Sequence, residues 1–273
     1  MYNQSMTVSK QSSGFEYKNK KNESPFETFL RYTNQKEMSA KQLSNVLQAL
    51  GSESNILDLG AGNGEYLSLA LSRMENVEDI RLTLVEPSTD LVRQLKGRFD
   101  VILPGANVTI APSDLDNFSS NEKFDAIIAA HLFYHIPRSS WPQQLEKMLS
   151  LLKPQGRLII VLRDKDDAYM FKMKFKPLLS DKSFSAMTID DVVSALPNIN
   201  KLRITRHVSE SELKIPIDSN PEDTESIVEF YLNKQWPDIP VVIQQAALGF
   251  IRSKHGLIQQ LDCIAVIEKI ESK

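Results

Sequence analysis

Apolar residues along this chain fall into two alternating patterns. Short runs that are apolar almost throughout have the length of β-strands and lie at residues 56–59, 82–85, 108–111, 124–130 and 158–162. Between them, apolar residues recur every three or four positions, as at Leu145, Met148 and Leu149, which is the spacing of one helix face. Because strands without polar alternation are covered on both sides, the pattern predicts an α/β fold: a doubly wound, mostly parallel seven-stranded sheet with helices on both faces.

Further elements are predicted on either side of this alternation. Two short helices precede the first strand and end at Gly51. Beyond Asp164 the order loosens, with helices near residues 169–179, 222–235 and 239–254 and a further helix opened by the capping-box pattern of residues 188–191. Strand-like stretches occur at residues 202–208, 213–217 and 261–267. We expect one domain over residues 25–273, in which residues 55–163 bind a cofactor while residues 25–50 and 164–256 cover a substrate.

Residues 1–24 differ from the rest of the chain in composition. They are rich in Ser, Asn, Gln and Lys, and they hold too few apolar residues to offset the entropy lost on ordering, so we predict a flexible arm. The basic run at Lys18, Lys20 and Lys21 is interpreted as part of this solvated tail.

Charge and cysteine content narrow the function classes. The chain has 32 Lys and Arg against 35 Asp and Glu, so it lacks the overall basic field that would make a nucleic acid its main substrate. Cys263 is the single cysteine, which argues against disulfide and zinc chemistry. No signal-peptide or membrane-span pattern occurs, and we expect a cytoplasmic monomer or weak homodimer without a membrane partner.

The most informative segment is the glycine loop after the first strand. It carries Gly60, Gly62 and Gly64, is preceded by Asp58, and runs directly into a helix. Nicotinamide-binding folds use the spacing Gly-x-Gly-x-x-Gly to hold a diphosphate, and this loop is spaced differently. The loop resembles motif I of class I S-adenosylmethionine-dependent methyltransferases, which have a Rossmann-like fold. That resemblance implies that Asp58 lies near the amino-acid part of S-adenosylmethionine and that Gly60, Ala61 and Gly62 pass under the cofactor.

Acidic residues follow the next two strands, where such a cofactor needs them. Glu86 ends the second strand, where a carboxylate can accept hydrogen bonds from both ribose hydroxyls of the cofactor. Pro87 and Ser88 continue the predicted cofactor site. Asp114 resembles the acid that contacts the adenine amino group, with the backbone of Leu115 beside the ring. Each feature alone has a purely structural explanation, but together they occur in the order that the resemblance requires.

The fourth strand leads into a stretch rich in histidine and aromatic residues. Ala130 and His131 complete the predicted cofactor site, with His131 facing the transferable methyl group. His131, Tyr134 and His135 are the candidate catalytic residues. The spacing of the two histidines could place two metal ligands on one helix face, but no third ligand follows nearby, so no metal is predicted. Simple packing and hydrogen bonding is the alternative for both histidines.

A closer resemblance extends over residues 26–268. Residues 84–88, residues 132–134 and the layout beyond the fifth strand are similar to the histamine N-methyltransferase family. The acceptor-binding residues that this resemblance implies are Glu37 or a neighbour, Tyr134, His135, Tyr169 and Gln260. Residues 163–169 depart from the family, because charged residues stand where the family has tryptophans, and this departure implies a more polar acceptor than histamine.

These features predict an enzyme that transfers a methyl group in line from S-adenosylmethionine to an amine or imidazole nitrogen of a small molecule and releases S-adenosylhomocysteine. An oxygen or carboxyl methyltransferase of a secondary metabolite is an alternative, as is a macromolecule methyltransferase that uses the basic arm. A cofactor-binding protein without catalysis is a further alternative. The glycine spacing argues against a nicotinamide dehydrogenase.

Overall fold

The structure is a computed structural model that describes residues 23–270, apart from residues 52, 76, 78, 104–106 and 180–185. Nearly all of the predicted arm, including its basic run, lies outside the described residues. The described helices are α1 (Pro25–Tyr32), α2 (Gln35–Gln48), α3 (Glu65–Leu71), α4 (Thr89–Ile102), α5 (Trp141–Leu151), α6 (Asp167–Phe175), α7 (Ile189–Ser194), α8 (Pro221–Leu232) and α9 (Val241–Ser253). The described strands are β1 (Asn55–Leu59), β2 (Arg81–Val85), β3 (Asn107–Ala111), β4 (Phe124–Ala130), β5 (Leu152–Arg163), β6 (Leu202–Lys214) and β7 (Leu257–Lys269).

These strands form one sheet in the order β3-β2-β1-β4-β5-β7-β6. Strands β1 to β5 pair in parallel, and β7 runs antiparallel to β5. The strand order reverses direction between β1 and β4, which is the point at which sheets of this kind bind ligands beside the carboxyl ends of their strands. The predicted doubly wound, mostly parallel seven-stranded sheet is confirmed within the described chain.

Two buried apolar clusters lie on opposite faces of the sheet. Successive strand residues point to opposite faces, so Leu57 and Leu59 of β1 join one cluster and Ile56 joins the other. The first cluster includes residues of α5 and α7, and the second includes residues of α2, α3 and α4. Helices therefore cover both faces, as the uninterrupted apolar runs of the strands require.

Side-chain caps explain where two helices begin. Ser24 starts α1 with a capping box, in which its hydroxyl accepts from the N–H of Glu27 at 3.2 Å while the Glu27 carboxylate accepts from the N–H of Ser24. The predicted capping box of α7 is present as well, and the carboxylate of Asp191 accepts from the N–H of Thr188 at 2.8 Å. Both helices thus start where their polar residues satisfy the first N–H groups.

Strand β5 begins earlier than its apolar run predicts. The sequence Lys153-Pro154-Gln155-Gly156 predicts a turn that ends α5, but these residues belong to β5, whose pairing with β4 shifts between Phe124 and Ala126. A Cβ on Gly156 would lie 2.7 Å from the carbonyl oxygen of Phe124, so glycine permits a close approach of the two backbones. The turn signal of Lys153-Pro154-Gln155-Gly156 therefore marks an irregular strand.

The chain divides into two compact units. The larger comprises the described residues within Asn34–Tyr169, Ser185–Glu212 and Gln259–Lys273, and the smaller comprises those within Met1–Thr33, Met170–Phe184 and Leu213–Ile258. The smaller unit has an aromatic core in which the rings of Phe29 and Phe230 stack with centroids 4.5 Å apart. The segments expected to cover a substrate contribute to both units.

None of the described helices has the length and apolarity needed to cross a bilayer.

Candidate functional site

The loop between β1 and α3 holds backbone N–H groups against a carboxylate. Gly60 and Gly62 have φ values of 73° and 59°, in the left-handed region that glycine adopts readily. The N–H of Gly62 donates to Oε2 of Glu86 at 3.0 Å, and the N–H of Ser88 donates to Oε1 at 2.9 Å. Glu86 is buried, so these two bonds fix its carboxylate at the end of β2.

Asp58 is a second buried acid at this loop. Burial removes the Asp58 carboxyl from water, and this is the larger cause that raises its pKa from 3.8 to about 7. The negative charge of Glu86 is the smaller cause. Asp58 is a residue of β1, whose five residues are all buried. A buried carboxyl that titrates near neutrality is the kind of perturbed group that occurs at binding sites.

A cavity of about 290 Å³ lies beside the ends of β1, β2 and β3. Its apolar lining residues include Leu59, Val85, Pro87, Leu115, Leu132 and Ile136. Its polar lining residues include Ser113, Asp114, His135 and Gln144. The cavity therefore brings together five of the predicted residues, namely Gly60, Pro87, Asp114, Leu115 and His135.

Two polar side chains that line this cavity, Asp114 and Gln144, differ in how their hydrogen-bonding atoms are paired. Asp114 is exposed, and its Oδ1 accepts from the N–H and from Nδ2 of Asn117, both at 2.8 Å. Gln144 is 5% exposed, and its Nε2 donates to Oδ1 of Asp116, while its buried Oε1 accepts no hydrogen bond. Sequence reasoning identified Asp114 and missed Gln144, because a glutamine inside an amphipathic helix carries no motif.

His131 lies directly after β4, at the same edge of the sheet. Its backbone N–H donates to the carbonyl oxygen of Val161 at 2.8 Å, and its φ is 53°. The imidazole stacks on the ring of Tyr134, with centroids 6.0 Å apart, and its Nε2 is 3.7 Å from Oδ2 of Asp262. Burial lowers the pKa of His131, although the charge of Asp262 opposes this effect, so the neutral imidazole is favoured.

Asp262 is a buried acid that sequence reasoning did not identify. It is 1% exposed, and its Oδ1 accepts from Nε2 of Gln35 at 2.8 Å, whereas its Oδ2 accepts no hydrogen bond. Oε1 of Gln35 in turn accepts from a guanidinium nitrogen of Arg163 at 2.8 Å. The single charged residue in the apolar run of β7 was the available signal, because a charge in a buried strand needs a partner or a role.

Two aromatic rings lie beside His131, in addition to the carboxylate of Asp262. The ring of Tyr66 meets the imidazole of His131 edge-on, with centroids 6.2 Å apart, and its hydroxyl pairs with Oγ of Ser39 at 2.9 Å. The phenol oxygen of Tyr134, whose ring stacks on the same imidazole, accepts from the N–H of Arg163 at 3.3 Å. A carboxylate oxygen and two aromatic rings around one imidazole form an environment that suits a cationic or N–H-bearing ligand.

Other residues of the predicted acceptor pocket have different surroundings. Glu37 is 67% exposed and pairs with Arg73 at 3.2 Å, and its neighbour Gln35 is the residue that contacts Asp262. Tyr169 is half-buried in α6, and Gln260 is fully buried in β7. Their part in acceptor binding stays a prediction. Among the described residues, no group of three or more His, Cys, Asp or Glu side chains is arranged to hold a metal ion.

Comparison with known proteins adds a family and a fold. A family model described as a methyltransferase domain matches residues 30–209. The tRNA N(3)-methylcytidine methyltransferase trm140 of Schizosaccharomyces pombe is 27% identical over 148 residues, which are 52% of this chain and 47% of trm140. The match therefore spans about half the length of that relative.

Solved structures share the fold at low identity. A Bacillus halodurans C-125 protein provisionally described as a methyltransferase has a TM-score of 0.55 and 12% identity, over 84% of this chain and 98% of its own. A Galdieria sulphuraria protein provisionally described as a sarcosine dimethylglycine methyltransferase has a TM-score of 0.53 and 16% identity, over 86% of this chain and 85% of its own.

Proposed function

The chain belongs to the methyltransferase domain family, and from that premise we propose that it methylates an amine or imidazole nitrogen of a small molecule. S-adenosylmethionine is the methyl donor, and S-adenosylhomocysteine is the product. The observation that carries the proposal is the buried carboxylate oxygen Oδ2 of Asp262, which accepts no hydrogen bond and lies 3.7 Å from Nε2 of His131. The resemblance of residues 84–88 and 132–134 to the histamine N-methyltransferase family supports a nitrogen acceptor.

The described residues fit the methyl donor. A Cβ on Gly62 would meet no heavy atom within 4 Å, so this side of the loop leaves room for a ligand close to the backbone. Glu86 and Asp58 supply carboxyl groups for the ribose hydroxyls and for the amino group of the donor. When bound, the sulfonium of the donor supplies an electrophilic methyl carbon.

The residues around His131 account for the acceptor's orientation. Oδ2 of Asp262 is placed to accept a hydrogen bond from the acceptor, and the carboxylate charge favours a cation. The rings of Tyr66 and Tyr134 can hold an alkylated ammonium by cation–π attraction. The attacking nitrogen must present a lone pair, and His131, which its lowered pKa keeps neutral, has a ring nitrogen that can accept a hydrogen bond from the acceptor and so orient it. Positioning the nitrogen in line with the methyl group is the main contribution of the protein.

The test is release of S-adenosylhomocysteine with panels of amines, imidazoles, amino acids and carboxylates. For the best nitrogen acceptor, Asp262→Asn should raise KM about tenfold or more, because the charge is lost while the shape is kept. Affinity for S-adenosylhomocysteine, measured by calorimetry, should not change. Asp90→Asn, at a side chain that is 78% exposed, is the matched control. An unchanged KM in Asp262→Asn, or turnover with carboxylates alone, would contradict the proposal.

The similarity to trm140 favours a second candidate, methylation of a base nitrogen in RNA. The formal net charge of −3 argues against an extended phosphate-binding surface. Unfractionated tRNA and the small-molecule panel, offered separately with methyl-labelled donor, discriminate between the two. Faster incorporation of label into RNA than into any small molecule would replace our proposal with this one.

Several other expectations stay predictions. These are a single domain over residues 25–273, a cytoplasmic location, and a monomer or weak homodimer. The oligomeric state is measured by light scattering on the purified chain at two concentrations. A stable dimer at the lower concentration would contradict that expectation.

A further inference from the structure

A residue that lines the cavity beside β1, β2 and β3 has a buried oxygen without a hydrogen-bond partner. This oxygen is Oε1 of Gln144, a residue of α5 that lines this cavity and is 5% exposed. Nε2 of the same amide donates to Oδ1 of Asp116. Because an ionised carboxylate only accepts hydrogen bonds, the nitrogen must face Asp116, and this fixes which amide atom is the unsatisfied oxygen.

The surroundings of Gln144 hold this geometry in place. Lys147, one turn further along α5, donates from Nζ to the carbonyl oxygen of Leu115 at 2.6 Å and to that of Asp116 at 3.0 Å. The segment after β3 is thus tied to α5 through both side-chain and backbone atoms. A desolvated carbonyl oxygen without a donor costs about 1–3 kcal/mol, which a ligand with a correctly placed N–H group would recover.

The cavity has the chemistry of a site for a flat heterocycle. Pro87, Leu115 and Leu132 supply apolar surface, and the cavity lies beside the end of β2, near the buried carboxylate of Glu86. Asp114, which the sequence resemblance assigns to the adenine amino group, is exposed and holds the backbone and side chain of Asn117. Gln144, in contrast, has an acceptor atom that nothing else in the described chain uses.

We propose that Oε1 of Gln144 accepts a hydrogen bond from the exocyclic amino group of the donor's adenine and so sets the preference for adenine over a 6-oxopurine. A 6-oxopurine would place a carbonyl oxygen against Oε1, and two acceptors repel each other. This inference concerns recognition of the methyl donor. It does not depend on the identity of the acceptor, and its failure would leave the proposed nitrogen methylation intact.

The experiment compares calorimetric affinities for S-adenosylhomocysteine and its 6-oxo analogue, S-inosylhomocysteine. The wild-type chain should bind the adenine compound at least about tenfold more tightly, which corresponds to one hydrogen bond of ordinary strength. In Gln144→Met, which preserves length and removes the amide, affinity for S-adenosylhomocysteine should fall about tenfold and the ratio of the two affinities should approach one. Gln143→Met, the same substitution at the adjacent exposed position, should keep the wild-type ratio.

Two results would overturn the proposal. One is a wild-type affinity ratio in Gln144→Met; the other is a ratio that collapses in Asp114→Asn while Gln144→Met keeps it. A melting curve first establishes that each variant folds. If Gln144→Met does not fold, the analogue of S-adenosylhomocysteine in which hydrogen replaces the amino group is titrated into the wild-type chain and Asp114→Asn. Binding of this analogue about tenfold weaker in both proteins supports Gln144, and equal binding of both compounds by the wild type overturns it.

Discussion

Gln35 donates from Nε2 to Oδ1 of Asp262 at 2.8 Å, and the other end of its amide accepts from the guanidinium of Arg163. One neutral side chain therefore lies between two charged ones that are almost removed from water. Because Oδ1 is occupied in this way, Oδ2 is the atom of Asp262 that is left available beside His131.

The first prediction concerns this amide. Gln35→Leu should lower the free energy of unfolding by about 1–3 kcal/mol, because Oδ1 of Asp262 loses its donor while it stays buried. Urea unfolding measures the change. Gln143→Leu, on the exposed face of α5, is the matched control and should change stability little. Equal effects of the two substitutions would show that the amide bridge does not contribute.

The second prediction concerns pH. Folding raises the pKa of Asp58 from 3.8 to about 7, so the folded chain binds this proton more tightly than the unfolded chain does. The resulting stabilisation is complete below the unfolded pKa and is lost as the pH rises through the folded one. Asp58→Asn should remove this dependence and gain stability relative to the wild type between about pH 5 and about pH 8. A parallel pH profile in both proteins would contradict the assignment; Asp90→Asn should follow the wild type.

The third prediction links Asp58 to its neighbour. Glu86→Gln removes the second cause of the raised pKa, so the Asp58 carboxyl should titrate at a lower pH, although burial keeps it above its ordinary range. Carbon-13 NMR titration of the Asp58 carboxyl measures this directly. The same variant should bind S-adenosylhomocysteine more weakly, because one proposed acceptor for the ribose hydroxyls is lost. A pKa of Asp58 that does not move would show that burial alone raises it.

The fourth prediction concerns the start of α3. A Cβ on Gly64 would lie 2.5 Å from Cδ1 of Leu95 and 2.7 Å from Cε2 of Phe99, on a backbone with φ of +75°. Gly64→Ala should therefore destabilise the chain by about 2 kcal/mol or more. Gly97→Ala, inside α4 with nothing within 4 Å of the added carbon, should instead stabilise it by about 0.5–1 kcal/mol. Thermal melts compare the two, and shifts of the same sign would contradict this reasoning.

The sequence was sufficient to predict the sheet and the position of Glu86 beside the glycine loop. Glu86 could be placed near the glycine loop because parallel strands that are adjacent in the sheet end at the same edge. The contact between Gln35 and Asp262 joins residues 227 positions apart, which no local pattern reports. The family resemblance indicated Glu37 or a neighbour, but it could not distinguish Glu37 from Gln35. Two positions apart in a helix correspond to a difference of about 200° in direction, so these two residues face opposite sides.

The left-handed backbone of His131 decides how its chemistry has to be tested. At a φ of 53° histidine and alanine share the steric cost of a Cβ, but histidine adopts this conformation more often than most residues do, so His131→Ala would alter the backbone preference as well as remove the imidazole. Asparagine tolerates this conformation and keeps a polar side chain. His131→Asn is thus the substitution whose kinetics report on the imidazole itself.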